Sequence, residues 1–307
     1  MTLQRPSPKN TEALYEEFQV NRQSIDEAVE KLRQWLRSQP HLPEMNDGRR
    51  LERVLTTCKF SIVRAQQCLD QYFSLRNLLP EILRDRDPLG ESLQAAIDVL
   101  TFVPLPRLTP DGYRVSVFKM APVPANTVEP LQLCKAALMI SEIRLAEDTS
   151  LGDILLLDME GLSIAHLVRF TVPIMRKLEL CATSAFNVRV SAMHFVNAPN
   201  FVDKLLAVVR TVLKPKVAAR IHVHGREAGL SSLHERIPIA VLPTEYGGES
   251  GPLQDLKAAW KVKLESYRDW FVEQEEVRSN ESLRPGATIN SSDLLGFEGS
   301  FRQLSVD

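Results

Sequence analysis

The segment from Gly161 to Ala165 carries residue types that could perform ester hydrolysis. It reads Gly-Leu-Ser-Ile-Ala between an apolar run and a helical pattern, so Ser163 stands where an esterase nucleophile would stand. Hydrolysis also needs a glycine at the fifth position, an oxyanion hole and a distant acid and histidine. Here the fifth residue is Ala165, no glycine-rich oxyanion loop occurs in the sequence, and His166 lies one turn along the same helix. The sequence favours Ser163 as a helix N-cap, with a serine hydrolase as the alternative.

Two histidines, His222 and His224, could bind a metal, because alternate residues of a strand point to the same side. No acid or cysteine suggests itself as a third ligand, so histidines bonded to backbone at a strand end are favoured over a zinc site. The four cysteines are widely spaced and lie in periodic apolar segments, which indicates reduced, buried thiols. Because the sequence contains no phosphate loop and no dinucleotide fingerprint, we expect no cofactor and no metal.

Basic residues are concentrated between positions 187 and 225, where six cations accompany a single acid, Asp203. Such a run is usually a solvated face, but beside an apolar helix it could dock on an anionic membrane, with each cation contributing roughly 1 kcal/mol. The net charge of the whole chain is only −2, so nothing indicates nucleic acid as a partner. The six cations are Arg189, Lys204, Arg210, Lys214, Lys216 and Arg220.

The elements that position these residues follow from the hydrophobic pattern of the 307-residue chain. Helical spacing predicts a small helical region over residues 11–84, and a proline-containing stretch marks the boundary that follows it. Strands are predicted at residues 113–120, 154–159, 192–196 and 221–223, with crossover helices at 163–182 and 200–213. This alternation predicts an α/β fold with a mostly parallel sheet. One more helix, from residue 253 to about 276, and a flexible polar tail complete the chain.

The predicted helix from Phe201 to Leu213 is apolar around more than one face. A helix between a sheet and water should show a narrower apolar stripe, of about 100°. One interpretation is a well-covered core helix. The other is a gate that is poorly solvated in water and well accommodated against a bilayer.

Three motifs in the C-terminal half occur in a fixed order. They are Met-His-Phe-Val-Asn-Ala-Pro from Met193, Arg-Ile-His-Val-His-Gly from Arg220, and Leu-Pro-Thr-Glu-Tyr-Gly-Gly from Leu242. In this order they resemble the CRAL-TRIO lipid-binding family, and residues 59–76 resemble the family's N-terminal helical module. The resemblance extends from about Leu32 to Phe271.

The resemblance implies a small helical module followed by a CRAL-TRIO α/β domain with a mobile gate helix over an apolar cavity. Aligned on the family motifs, Arg189, Lys216 and Arg220 match residues that bind phosphoinositide headgroups. The chain departs from the family at Ser191, where a basic residue is replaced, and over residues 54–58, where Val-Leu-Thr-Thr-Cys replaces an arginine-rich segment. The expected pocket residues are Leu138, Ser141, Leu156, Phe170, Ile174, Phe201, Leu205 and Val209. For Ser141, a hydroxyl bonded to its own helix backbone is the alternative.

We therefore predict a helical module over residues 11–87, the lipid-binding domain over 88–250, a C-terminal helix over 251–278 and a flexible tail over 279–307. The expected function is a carrier, not an enzyme, that holds one tocopherol, retinoid, other isoprenoid or phospholipid and transfers it at membranes. A phosphoinositide-regulated trafficking or signalling adaptor is the alternative. Because the N-terminus lacks an apolar signal region, we expect a cytoplasmic protein that visits anionic membranes peripherally and transiently.

Overall fold

The N-terminal part of the protein is helical, as the sequence predicts. The structure is a computed structural model that describes residues 2–225 and 230–286. Six helices precede the sheet: α1 Pro8–Glu17, α2 Arg22–Ser38, α3 Gly48–Thr57, α4 Ile62–Leu78, α5 Pro80–Leu83 and α6 Glu91–Val99.

Polar caps fix where the longer of these helices begin. Asn21 accepts from the backbone N–H of Ser24, and the Ser24 hydroxyl accepts from that of Asn21, which forms a capping box at the start of α2. Asp47 caps α3 and Ser61 caps α4 in the same way. These caps satisfy backbone donors that the first helical turn cannot pair, so each helix starts at a defined residue.

The sheet has five strands in the order of the chain. The first two strands are antiparallel, and each later strand pairs with its predecessor in parallel. The predicted mostly parallel sheet is confirmed. The strands are β1 Leu100–Leu108, β2 Tyr113–Met120, β3 Gly152–Asp158, β4 Val190–Val196 and β5 Ile221–Val223.

Strand β1 is missing from the sequence-based prediction, which places a domain boundary there. Pro104 and Pro106 caused this omission, because proline cannot donate to a strand ladder. The structure places β1 at the edge of the sheet, where a missing backbone donor is tolerated. The register of β1 against β2 shifts between Pro104 and Leu108. The free side of this edge is used in part by Gln4, whose N–H donates to the carbonyl of Pro106 at 2.9 Å.

Eight further helices follow β2 in the described residues. The single helix predicted over 163–182 is two helices, because Pro173 disfavours helical backbone just before it and can stand in a first turn. A π-helical turn, Cys181–Ala185, follows. The helices are α7 Pro130–Glu147, α8 Ile164–Arg169, α9 Val172–Leu180, α10 Val202–Val212, α11 Pro215–Ala218, α12 Ser231–His234, α13 Leu253–Ser266 and α14 Arg268–Glu273.

Two main apolar cores lie on either side of α7. One core packs sheet residues such as Val115, Val117 and Leu156 against α7 and against Trp260 of α13. The other joins helices α2 to α5 with α7, α9 and the π-helical turn. Helix α7 belongs to both cores, and 13 of its 18 residues are buried. It therefore attaches the helical module to the sheet.

The start of the predicted flexible tail is packed against α4. The guanidinium of Arg284 lies 2.9 Å from Asp70 and also pairs with Glu281, and Ser279 is buried. Residues 287–307, the rest of that predicted tail, lie outside the described residues.

Candidate functional site

Helix α10 is held loosely on the sheet. Of its 11 residues, only Leu206 and Val212 are buried, and Val208 is 40% exposed. The helix rests on Met193 and Phe195 of β4, in an apolar cluster with only four fully buried members. A well-covered core helix would resemble α7 instead, so the burial of α10 fits the gate interpretation better.

Side-chain contacts lie on the approach to α10 and at its C-terminal end. Before it, Asn197 adopts a left-handed backbone with φ of 51°, and its side chain donates to Asp158 at 2.8 Å. At the other end, Arg176 of α9 donates to the carbonyls of Thr211 and Val212, at 2.6 and 2.9 Å. Arg176 thus holds the C-terminal end of α10, whereas no side chain caps its first turn and only two of its residues are buried.

The three predicted headgroup residues lie around one cleft of about 850 Å³. Arg189 comes from the approach to β4, and Lys216 and Arg220 come from the segment after α10. The opposite wall belongs to the helical module, at the junction of α3 and α4. We call this the cation-lined cleft, after its six basic side chains: Lys59, Arg64, Arg189, Lys214, Lys216 and Arg220.

The charge of the cleft is unbalanced. Among the described residues that line it there are six cations and no carboxylate. Within the described part of the chain, Arg189 Nη1 is buried and has no hydrogen-bond partner. Arg220, in contrast, donates to the carbonyl of Val190 and is thereby held in place. An unpaired buried guanidinium nitrogen is costly unless an anion reaches it, so the cleft is suited to a phosphate group.

Sequence reasoning did not assign three of these cations to the site. Lys214 was recognised in the local basic run, but Lys59 and Arg64 are more than 120 positions from Arg189 in the chain. The structure brings them together because Cys68 of α4 donates to the carbonyl of Ala185 at 3.2 Å, which fixes α4 beside the π-helical turn. The available signal was the position of Lys59, directly after the segment that has lost the family's arginines.

The predicted pocket residues are distributed among several apolar clusters. Leu156 packs under α7 on one face of the sheet, while its neighbours Leu155 and Leu157 pack with Leu205 of α10 on the other. Leu138 and Ile174 belong to the core of the helical module, and Phe170 packs with Val128 and Leu133. Phe201, directly before α10, and Val209, on α10, are half-buried. The pocket assignment of these residues remains a prediction.

Ser141 faces a small polar space. Its hydroxyl donates to the carbonyl of Ala137 at 2.9 Å, as its alternative interpretation predicts. It also lines a cavity of about 20 Å³ together with Arg53, Arg144 and Asp153. That volume suits a single water molecule.

The histidines form a stacked group at the carboxyl ends of β4 and β5. His194 Nδ1 lies 2.8 Å from His224 Nε2, and the rings of His194 and His222 stack at 5.1 Å. Burial, helped by the neighbouring histidines and Arg236, lowers the pKa of His194 to about 4. In the described residues no group of three potential ligands is arranged to hold a metal ion.

Ser163 and His166 are hydrogen-bonded, but not as a catalytic pair. His166 Nε2 lies 2.8 Å from the carbonyl of Val123, which can only accept, so Nε2 carries the proton of the neutral ring. Nδ1 then accepts from the Ser163 hydroxyl at 2.8 Å and from its backbone N–H at 3.2 Å. In a Ser-His-Asp triad, the ring nitrogen that does not face the serine donates to a carboxylate; here His166 Nε2 donates to the backbone carbonyl of Val123 instead. Ser163 directly precedes α8, as the N-cap interpretation predicts.

Among the described residues, no helix is long and apolar enough to cross a membrane. The helical module and the mostly parallel sheet with its covering helices define a class of α/β proteins.

Comparison with known proteins places the chain within this class. Residues 101–248 match the family model described as CRAL/TRIO domain, and residues 21–93 match the one described as Pinta-like, UBA domain. The human protein named alpha-tocopherol transfer protein-like is 31% identical over 249 residues, which cover 80% of this chain and 71% of that protein. Rat Clavesin-2 is 25% identical over 80% of this chain and 76% of its own length. The chain therefore belongs to the CRAL/TRIO family of lipid-binding and lipid-transfer proteins.

A solved structure confirms the fold. The crystal structure of Sfh5 superposes with a TM-score of 0.50 at 12% identity, over 82% of this chain and 99% of that one.

Proposed function

We propose that this protein is an intracellular carrier that binds one hydrophobic lipid and transfers it at anionic membranes. The observation that carries the proposal is the contrast between α7 and α10, two apolar helices next to the same sheet. Helix α7 is buried over most of its length, while α10 buries two residues. The apolar face of α10 is only half-buried at Val202, Leu205 and Val209, so the helix can leave the sheet at low cost when lipid solvates that face.

The cargo site would lie between α10 and the sheet face that carries Leu155, Leu157, Met193 and Phe195. These side chains already form an apolar surface against α10, and Leu155 and Leu157 are only partly buried. Each methylene of a lipid placed there would contribute about 0.8 kcal/mol. Affinity can therefore come from apolar area, with few polar groups to orient the cargo. Tocopherols, retinoids, other isoprenoids and phospholipids all satisfy this chemistry.

The cation-lined cleft would supply the membrane contact. Cations near an anionic bilayer contribute about 1 kcal/mol each, and the cleft offers six of them without a neighbouring carboxylate in its described lining. Lys214 and Lys216 stand directly after α10. Binding of phosphoinositide headgroups there would therefore hold the gate near the interface into which it opens. Exposed apolar residues Ile164, Val168 and Val208 lie on α8 and α10 and would meet the acyl boundary.

The first experiment is native mass spectrometry with organic extraction of the protein purified from a eukaryotic host. A single lipid at near one-to-one occupancy is the expected result, and it would identify the cargo. An empty protein, or a mixture of abundant phospholipids, would contradict the carrier proposal and favour the phosphoinositide-regulated adaptor.

Docking is tested separately with Lys214→Glu combined with Lys216→Glu. Both side chains are exposed, so the fold should tolerate the change, whereas Arg220 is engaged with Val190. Reversal of two cations should weaken binding to phosphoinositide vesicles by about 2 kcal/mol or more, near thirtyfold, and slow lipid transfer to them. Cargo affinity should stay unchanged.

The matched control reverses Lys9 and Lys31, two exposed cations of the helical module outside the cleft, with the same change in net charge. Equal slowing by both double variants, or equal slowing on neutral vesicles, would contradict docking through the cleft.

A further inference from the structure

Arg176 connects α9 to the C-terminal end of α10. Its Nη1 donates to the carbonyl of Val212 at 2.9 Å, and its Nη2 donates to the carbonyl of Thr211 at 2.6 Å. Both acceptors belong to the last turn of α10, where backbone carbonyls have no donor within the helix. A guanidinium presents its N–H groups in a fixed fork, so one side chain can satisfy two neighbouring carbonyls. We call these two hydrogen bonds the latch.

The charge of Arg176 strengthens the latch. The carbonyls at the C-terminal end of a helix carry a partial negative charge, so a cation placed there is favourable. Hydrogen bonds from a charged donor are also stronger than those between neutral groups. In the described part of the chain no carboxylate pairs with Arg176, so its guanidinium serves the end of α10.

The approach to α10 is anchored to the sheet. Asn197 donates to the Asp158 carboxylate, which is 3% exposed. That carboxylate also pairs with Lys119 and accepts from the Tyr246 hydroxyl, both at 2.9 Å. No side chain caps the first turn of α10 itself. The helix can therefore move about a fixed point at Asn197 without losing a cap at its start.

The chain after the latch can accommodate this movement. Leu213 and Lys214 are extended, with ψ of 147° and 141°, and α11 begins at Pro215. Because no continuous helix joins α10 to α11, the end of α10 can shift while α11 stays folded. Among the described residues, no other hydrogen bond links α10 to a neighbouring helix. Apart from the latch, α10 is held mainly by the packing of its two buried residues, Leu206 and Val212.

We propose that Arg176 is a positioning residue that sets how often α10 opens, because it latches the C-terminal end of the helix to α9. The proposal rests on the proposed function, in which lipid enters beneath α10. In the closed state the guanidinium donates to the carbonyls of Thr211 and Val212, and in the open state both carbonyls are solvated instead. Since the latch engages backbone carbonyls, it resists opening without covering the apolar face of α10.

Hydrogen–deuterium exchange of the full-length protein without added lipid tests the latch. The variant is Arg176→Met, which keeps a long apolar stem and removes the charge and both donors. An 11-residue helix is marginally stable once it leaves the sheet, so its amides exchange when it opens. We expect exchange over residues 205–212 to become about tenfold faster or more, because two hydrogen bonds from a charged donor are lost. Exchange in α7 should not change.

The matched control is Arg169→Met, which changes the net charge by the same amount. Arg169 of α8 also donates from two nitrogens to a backbone carbonyl, that of Val128, at 3.2 and 2.8 Å. Because this acceptor lies just before α7 and not on α10, exchange over residues 205–212 should stay as in the unmodified protein. Unchanged exchange there in Arg176→Met, an equal increase in α7, or an equal increase in Arg169→Met would overturn the proposal.

Binding to dioleoylphosphatidylcholine vesicles measures what opening does at a membrane. These vesicles carry no net charge, so the cation-lined cleft contributes little to binding. If the open form inserts α10, the apparent dissociation constant is the intrinsic one divided by the open fraction. Arg176→Met should therefore tighten binding by the factor by which it speeds exchange, about tenfold or more. Tighter binding with unchanged exchange over residues 205–212 would assign the gain to the new methionine and overturn the latch.

The outcomes separate the latch from the proposed function. If α10 exchanges faster in Arg176→Met, but vesicle binding is unchanged and the protein is purified without lipid, the latch stands and the carrier function fails. If exchange is unchanged while native mass spectrometry finds one lipid per protein, the carrier function stands and the latch fails.

Discussion

Substitution of Glu142 by glutamine should separate the helical module from the lipid-binding domain more effectively than any surface change. The Glu142 carboxylate lies on α7, is 1% exposed and accepts from Arg76 of α4 at 2.6 Å. Arg86 and the hydroxyl of Tyr72 also donate to it. Three groups of the helical module and the linker after it thus converge on one carboxylate of the helix that both cores share.

The magnitude follows from the charges that the change would leave. Burial alone would raise the pKa of Glu142, but the guanidinium charges of Arg76 and Arg86 outweigh it and hold the pKa at about 2. Relative to the ordinary value of 4.5, this corresponds to about 3 kcal/mol of stabilisation at neutral pH. In Glu142→Gln, Arg76 keeps the carbonyl of Val277, whereas Nε and Nη2 of Arg86 have no hydrogen-bond partner in the described part of the chain and only Glu275, 3.8 Å from Nε, remains near its charge. A buried guanidinium charge without its carboxylate partner raises the expected loss in the free energy of unfolding to about 3–5 kcal/mol.

Urea unfolding at pH 7, followed by circular dichroism, measures this loss. The matched control is Glu52→Gln, which removes one partner of the exposed Arg22–Glu52 pair, 2.7 Å apart, and should cost about 1 kcal/mol or less. A loss for Glu142→Gln no larger than that of the control would refute the reasoning. The pH dependence gives a second check. Because the folded pKa lies below the unfolded one, the stabilisation is complete above about pH 4.5 and disappears as the pH falls toward about 2.

Two further predictions concern the family motifs. In Gly248→Ala the new Cβ would lie 2.0 Å from the carbonyl oxygen of Leu242. We therefore expect urea unfolding to show a loss of about 3 kcal/mol or more in the free energy of unfolding. The control is Gly225→Ala, where the new Cβ would have no atom within 4 Å and the change should be nearly neutral. The pKa of His194 is lowered to about 4, so the folded state favours the neutral ring. The free energy of unfolding that depends on this ring is therefore complete above pH 6.5 and should decrease as the pH falls from 6.5 to 4. His194→Gln should flatten that part of the stability profile, and an unchanged slope would contradict the assignment.

The fold was largely predictable from the sequence because its signals are local. The continuous apolar run at β3, the further predicted strands with crossover-length helices between them and the three ordered motifs all indicate a parallel sheet. The errors were local too. Pro104 and Pro106 concealed an edge strand, and Pro173 divided a helix that periodicity alone joined.

The nature of α10 could not be decided from the sequence, because apolar composition does not state how much of a helix is covered. Helix α7 has buried residues all around it, whereas the exposed residues of α10, among them Asp203, Lys204 and Arg210, lie on one side. Helix α7 lies between two cores, whereas α10 has the sheet on one side only, and this difference arises from topology. Burial on all sides thus makes α7 a fixed structural helix, and burial on one side only leaves α10 a candidate gate.

The cation-lined cleft illustrates a second limit, since its residues are adjacent only through packing between the module and the domain. The loss of the arginine-rich segment suggested a weakened headgroup site, yet Lys59 and Arg64 supply charge from the same wall. Cys58 occupies the last position of the replaced segment. Lys59 directly follows that position and Arg64 lies in the same wall, so the cleft carries six cations although the arginine-rich segment is replaced.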